Sequence, residues 1–147
     1  MKISTKVEYG LVALIDIAMN SSSGDVVTVI SISERQGISK NYLEQILTPL
    51  RQANIINGTK GAQGGYTLTE EPSELKLSKI LNALDSNLLS VVFDSSMKCN
   101  QSSINAIKNV MWDKMDKQFR EIAENTTLAD LVEEYKRESN TSVMFYI

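Results

Sequence analysis

The sequence predicts a mainly helical fold carrying one small β-hairpin, and three observations predict it. Helix-opening residue patterns recur at Thr5, Ser31 and Ser39, each followed by apolar residues at helical spacing. A glycine-rich turn, Lys60-Gly61-Ala62-Gln63-Gly64-Gly65, lies between two short β-like runs. From Ser102 onward, apolar side chains recur every three or four positions for about six turns.

Composition sets the bounds. At 147 residues the chain can bury a core without disulfide staples, and 42% hydrophobic with 22% charged residues is the balance of a folded protein, not a disordered one. No apolar run approaches the roughly 20 residues needed to span a bilayer, Leu11–Ile15 and Leu88–Phe93 included. The start also lacks the apolar run and small-residue cleavage site of a signal peptide, so a cytoplasmic protein without membrane contact is expected. One cysteine, Cys99, excludes an internal disulfide framework. The absence of histidine removes the commonest general base and the commonest metal ligand.

Taken in order, Thr5-Lys6-Val7-Glu8 has capping-box spacing and opens a first helix through Val7, Leu11, Leu14, Ile15 and Ala18 to Asn20. A β-like stretch, Val26–Val29, precedes Ser31-Ile32-Ser33-Glu34, a second capping box opening about two turns that stop at Gly37. Ser39 then caps a third helix from Lys40 to about Ala53, with Leu43, Ile46, Leu47 and Leu50 on one face and Pro49 expected to bend or loosen its second half. Ile55-Ile56-Asn57 reads as a strand, Gly58 to Gly64 as a turn, and Gly65–Leu68 as the returning strand. A short helix follows at Ser78–Leu84, and the stretch from Asp85 to Gln101 has no clear pattern. The long helix from Ser102 to Glu124 carries a narrow stripe of Ile104, Ile107, Met111, Met115, Phe119 and Ile122, the pattern of a helix packed on another helix. Thr127-Leu128-Ala129-Asp130 opens a last helix through about Arg137, and the bulky apolar end Val143–Ile147 is expected to dock.

Two helices joined by a tight glycine-containing turn form a helix-turn-helix, and a hairpin after the second helix is a wing. The full reading is a winged helix-turn-helix at 1–84, followed at 85–147 by a connecting segment and dimerisation helices. Such a unit points to DNA. A helix N-terminus entering the major groove offers side chains to base edges while its backbone N–H groups approach phosphate. Lys40 suits guanine, Asn41 or Gln45 adenine, and Glu44 the cytosine amine. Thr28, Ser39, Tyr42 and Thr59 suit phosphates, Lys60 a phosphate or the minor groove, and Arg51 with the wing residues Gly61 and Gln63 completes the candidate DNA-binding set. Charge is compatible with this: residues 1–66 carry net +1, and the remainder −4 of the total −3. An enzyme has no support, since no catalytic pair, phosphate loop or metal-ligand spacing is present. The mixed acidic and basic side chains between Asp113 and Glu134 read as a solvated face.

Several segments carry a resemblance. Lys2–Lys6, Tyr42–Gln45, Pro49-Leu50-Arg51, Lys60–Tyr66, Thr126–Leu131 and Met144–Ile147 resemble the winged-helix repressor family that includes IscR, NsrR and CymR. The resemblance implies a homodimer whose recognition helices and wings address a palindromic operator in double-stranded DNA, the long helix crossing its partner's copy. It also implies DNA contacts at Ser39, Asn41, Tyr42, Glu44, Gln45 and Lys60. One branch of the family senses through an iron–sulfur cluster on three cysteines ahead of the long helix. With Cys99 alone, no cofactor is expected here, and the likeness is closer to the clusterless branch of CymR. That branch implies control of cysteine and sulfur metabolism, with a cysteine-biosynthesis enzyme as co-regulator. Cys99 itself is either an inert small side chain or a candidate redox thiol beside Lys98. Two alternatives stay open: a cluster-type relative whose serines near Cys99 replace lost ligands, and a protein-interaction module with vestigial DNA binding.

Overall fold

The computed structural model describes residues 3–89 and 98–146, with side chains through Thr141. The expected elements lying beyond these, the end of the Leu88–Phe93 run and the side chains of Val143–Ile147, fall outside the described residues.

Helix α1 spans Thr5–Asn20. Its cap is Ser4, one residue before the expected Thr5, because Ser4 keeps an extended backbone and its Oγ accepts from the Val7 N–H at 3.3 Å. Val7, Ala13, Leu14 and Ile17 are fully buried on one side. Asp16 is buried with them and receives Arg35 at 2.7 and 2.9 Å and the Gln36 amide at 2.9 Å.

Helix α2 spans Val29–Gln36. The box expected to open at Ser31 is displaced. Thr28 caps instead, its Oγ1 accepting the Ser31 N–H at 3.1 Å, while the Ser31 hydroxyl donates to the Thr28 carbonyl at 2.8 Å. The β-like stretch before it reduces to one bridge, Val27 paired with Tyr66 through bonds of 2.9 and 2.8 Å. Gly37 ends α2 at φ +69°, a conformation that costs a side-chain-bearing residue strain.

Helix α3 spans Lys40–Gln52 and is continuous through Pro49, so the expected loosening does not break it. Pro49 withholds an N–H from the Gln45 carbonyl, but the Ala53 N–H bonds the Pro49 carbonyl at 3.0 Å and the ladder resumes. Strands β1 (Ile56–Thr59) and β2 (Gly65–Leu68) pair antiparallel from Ile56↔Leu68 to Thr59↔Gly65. The turn is therefore shorter than expected, since Gly58 and Thr59 belong to the ladder.

Helix α4 (Leu77–Leu84) lies against α1 so closely that a methyl group on Gly10 would overlap Leu84. The long helix is divided into α5 (Gln101–Ile107), a π-helical turn (Lys108–Trp112) and α6 (Asp113–Asn125). No side chain of α5 or the π turn is buried. Along the expected stripe, Ile107, Met111, Met115 and Ile122 are 46 to 60% exposed. Phe119 leaves that stripe and packs on the core beside buried Ala123, and Ile104 is half-buried.

Helix α7 spans Leu128–Tyr146, running past the Arg137 end expected for it. It opens on a reciprocal box: the Asp130 N–H donates to Thr127 Oγ1 at 3.3 Å and the Thr127 N–H to Asp130 Oδ2 at 2.9 Å. Residues on both sides of position 84 share one core, to which Ala123, Leu128 and Val132 contribute alongside α1, α3 and α4. The join is a bridge between Lys76 and Thr127, with the Leu77 N–H on the Thr126 carbonyl and the Leu128 N–H on the Leu75 carbonyl, each at 2.9 Å. Beside it, hydrogen bonding from Ser78 and the Lys76 ammonium hold the Glu124 carboxyl below the usual carboxylate range.

Candidate nucleic-acid interface

The first turn of α3 is organised by its cap, for Ser39 is extended and its Oγ accepts the Tyr42 N–H at 3.2 Å. An α-helix leaves its first N–H groups without intrahelical acceptors, at the positive end of its dipole. On that end stand Lys40 and Asn41, both exposed.

Leu43, Ile46, Leu47 and Leu50 are each fully buried, which decides the face that α3 turns outward. Asn41, Glu44, Gln45 and Thr48 lie on that outer face and, with Pro49, line a shallow concavity. Thr48 is a member the sequence reading missed, although its spacing of seven from Asn41 and four from Glu44 was the available signal. Its Oγ1 donates to the Glu44 carbonyl at 2.7 Å.

The hairpin stands at the other end of α3. Its turn, Lys60–Gly64, needs Gly61 at φ +110° and Gly64 without a side chain, because a methyl group there would overlap the Thr59 carbonyl oxygen. A methyl group on Gly65 would meet the Val27 carbonyl at 2.8 Å, so the bridge to Val27 also depends on glycine.

Arg51 leaves the last turn of α3 beside β1, its Cδ 3.6 Å from where a Gly58 methyl would sit. Arg51, Lys60, Gly61 and Gly64 thereby border one cleft with Val29 and Tyr66. Lys40 and Arg51 stand near opposite ends of α3, about 17 Å apart along a helix. Among the described residues, no ion pair engages Lys40, Arg51 or Lys60, so all three cations are available to an external anion.

Other expected positions are less open. Thr28 is half-buried with its oxygen accepting in the α2 cap, which leaves its hydrogen as a donor. Tyr42 is half-buried and meets Tyr9 edge to face, the ring centroids 5.6 Å apart. Thr59 and Gln63 are exposed on the hairpin. Cys99 is exposed and precedes Asn100, whose Oδ1 caps α5 by accepting from Ser102 and Ser103. Among the described residues, no group of acidic and cysteine side chains is arranged to hold a metal ion, and no helix is long and apolar enough to cross a membrane.

This ordered set, a helix-turn-helix, a hairpin wing and a long C-terminal helix, has counterparts. The family model described as Rrf2, iron-dependent transcriptional regulator, matches residues 3–134. The chain belongs to the Rrf2 family. Among Rrf2 relatives, the HTH-type transcriptional regulator CymR of Bacillus subtilis is 32% identical over 149 aligned residues, covering 100% of each chain. The HTH-type transcriptional regulator IscR of Photobacterium profundum is 30% identical over 132 residues, 90% of this chain and 76% of its own. The solved structure of CymR (YrzC), the global cysteine regulator of B. subtilis, matches with a TM-score of 0.77 at 30% identity, covering 91% of this chain and 98% of that one. These Rrf2 proteins are transcriptional regulators and not enzymes, and the winged-helix fold expected from the sequence is the one this chain shares with them.

Proposed function

We propose that this Rrf2 regulator is a repressor that binds a palindromic operator as a homodimer and occludes the promoter. One observation carries the reading: the outer face of α3, Asn41, Glu44, Gln45 and Thr48, stands between two sets of unpaired cations, Lys40 at one end and Arg51 with Lys60 at the other. In this reading Lys40, Asn41, Glu44 and Gln45 face base edges in the major groove. Ser39, Tyr42, Arg51 and the wing residues Lys60, Gly61 and Gln63 hold phosphates, with Thr28 and Thr59 at the margin. The exposed stripe of Ile107, Met111, Met115 and Ile122 seats the second subunit, bringing two reading heads onto half-sites one or two helical turns apart.

The family description speaks of iron, and the donor set here does not suit it. An iron–sulfur cluster needs several thiolates close together, whereas this chain has one cysteine and no histidine. We therefore assign it no cofactor. The likeness to CymR along the whole chain supports control of cysteine and sulfur genes, with the signal delivered by an enzyme of cysteine synthesis.

The test is binding of duplex DNA by fluorescence anisotropy across a salt series, using a promoter duplex selected by the protein from genomic fragments and a mixed-sequence duplex. Lys60→Ala is expected to weaken both duplexes and to flatten the salt slope by about one unit, because one phosphate contact is lost. Glu44→Ala should leave mixed-sequence binding intact and erase about tenfold of the preference for the selected duplex. Equal losses on the two duplexes from Glu44→Ala would sink the base-reading assignment. Salt-independent binding by the unaltered protein would turn the reading toward a protein-interaction module.

A further inference from the structure

We infer that Tyr9, a residue of α1 outside the helix-turn-helix, is a positioning residue for DNA binding that acts through Tyr42. The inference rests on the DNA reading above and adds a residue that neither the motif nor its spacing indicates. Tyr9 is 40% exposed on the helix that supplies much of the core. Its ring stands perpendicular to that of Tyr42 with centroids 5.6 Å apart, an arrangement favoured by the aromatic quadrupole.

The consequence follows from what remains free in Tyr42. Its backbone is held, because its N–H donates to the Ser39 cap and its position lies in the first helical turn. Only the side-chain torsions are left; the ring is half-buried against the core on one side, and the Tyr9 ring bounds it on another. Together with the core, the Tyr9 ring restricts that freedom before DNA arrives, so the Tyr42 hydroxyl is presented on the groove-facing helix at a lower ordering cost on binding. The Tyr9 ring is what the task requires; its own hydroxyl is not.

Tyr9→Ala, Tyr9→Phe, Tyr42→Ala and the Tyr9→Ala/Tyr42→Ala double variant are compared on the selected promoter duplex and the mixed-sequence duplex, with thermal melting as a check on folding. Tyr9→Ala is expected to weaken both duplexes about three- to tenfold, leaving the ratio between them unchanged. Tyr9→Phe should restore binding to within about twofold, and Tyr9→Ala should add less than about twofold once Tyr42 is already alanine. A merely structural Tyr9 would lower the melting temperature and keep its full effect in the Tyr42→Ala background, which would overturn the inference. So would a Tyr9→Phe variant as weak as Tyr9→Ala, since the hydroxyl would then touch DNA directly, or a Tyr9→Ala variant with unaltered affinity. Failure of the unaltered protein to bind either duplex would refute the DNA reading itself, an outcome separate from all of these.

Discussion

Asp16 shows how one buried charge is made tolerable. Its side chain is 1% exposed, and a lone carboxylate at such a site would carry a desolvation cost of several kcal/mol. The Arg35 fork supplies two bonds and Gln36 a third, while the Arg35 side chain remains 40% exposed and keeps part of its hydration. The Arg35 guanidinium is in turn held more firmly protonated by its hydrogen bonds to Asp16. The two partners are therefore unequal. Arg35→Met strands a buried carboxylate and is expected to cost about 2–4 kcal/mol, whereas Asp16→Asn keeps an acceptor and frees a cation that reaches water, costing about 1 kcal/mol. Urea denaturation at neutral pH measures both, and a larger loss for Asp16→Asn would reverse the assignment of which charge needs the other. The same bonds tie α1 to the end of α2, ahead of the Gly37 turn that sets where α3 begins.

Between elements, the π turn at Lys108–Trp112 governs the apolar stripe. In a regular helix each four-residue step drifts by about 40°, so Ile107, Met111 and Met115 would spiral about 80° around the axis. The wider π turn rotates less per residue and so offsets part of that drift between Ile107 and Met115; Ile107, Met111, Met115 and Ile122 are all exposed. Insertion of one alanine after Asp113, in the regular helix just past the turn, should rotate the two halves of the stripe by about 100°. Sedimentation should then report a dimer weakened by at least about tenfold, with helix content by circular dichroism unchanged. A dimer of full strength would mean that the stripe is not the seam.

Across the whole molecule, the long helix and the reading head move together because α6 and α7 are tied back to residues 72–77 and into the N-terminal core. The helix from Gln101 to Asn125 holds four basic and four acidic side chains, so a second copy meets no net repulsion there. A cation in the middle of the stripe alters this. Met115→Lys, at a position 54% exposed and so free of core packing, should yield a folded monomer whose affinity for the selected duplex falls about 100-fold or more through loss of the second half-site. Anisotropy and sedimentation on one sample decide it, and a monomer that binds the selected duplex undiminished would remove dimerisation from the mechanism.

The sequence by itself determined what depends on neighbours along the chain. Ser39, Gly37 and the Gly61–Gly65 turn punctuate the helix-turn-helix and its wing through local backbone conformation, and the Leu43, Ile46, Leu47 and Leu50 spacing settles which face of α3 looks out. Tertiary structure decided whatever joins distant positions. The Asp16–Arg35 pair, the Tyr9–Tyr42 contact and the Lys76–Thr127 bridge have no signature in spacing, because the packing of separate helices brings them together. The caps fall at Ser4 and Thr28, where Thr5 and Ser31 offered equally good capping chemistry to a reading of the sequence. Phe119 left its stripe for a related reason: within α6 it lies about 40° round the axis from Met115 and about 60° from Ile122, towards buried Ala123, and the core takes that side of the helix.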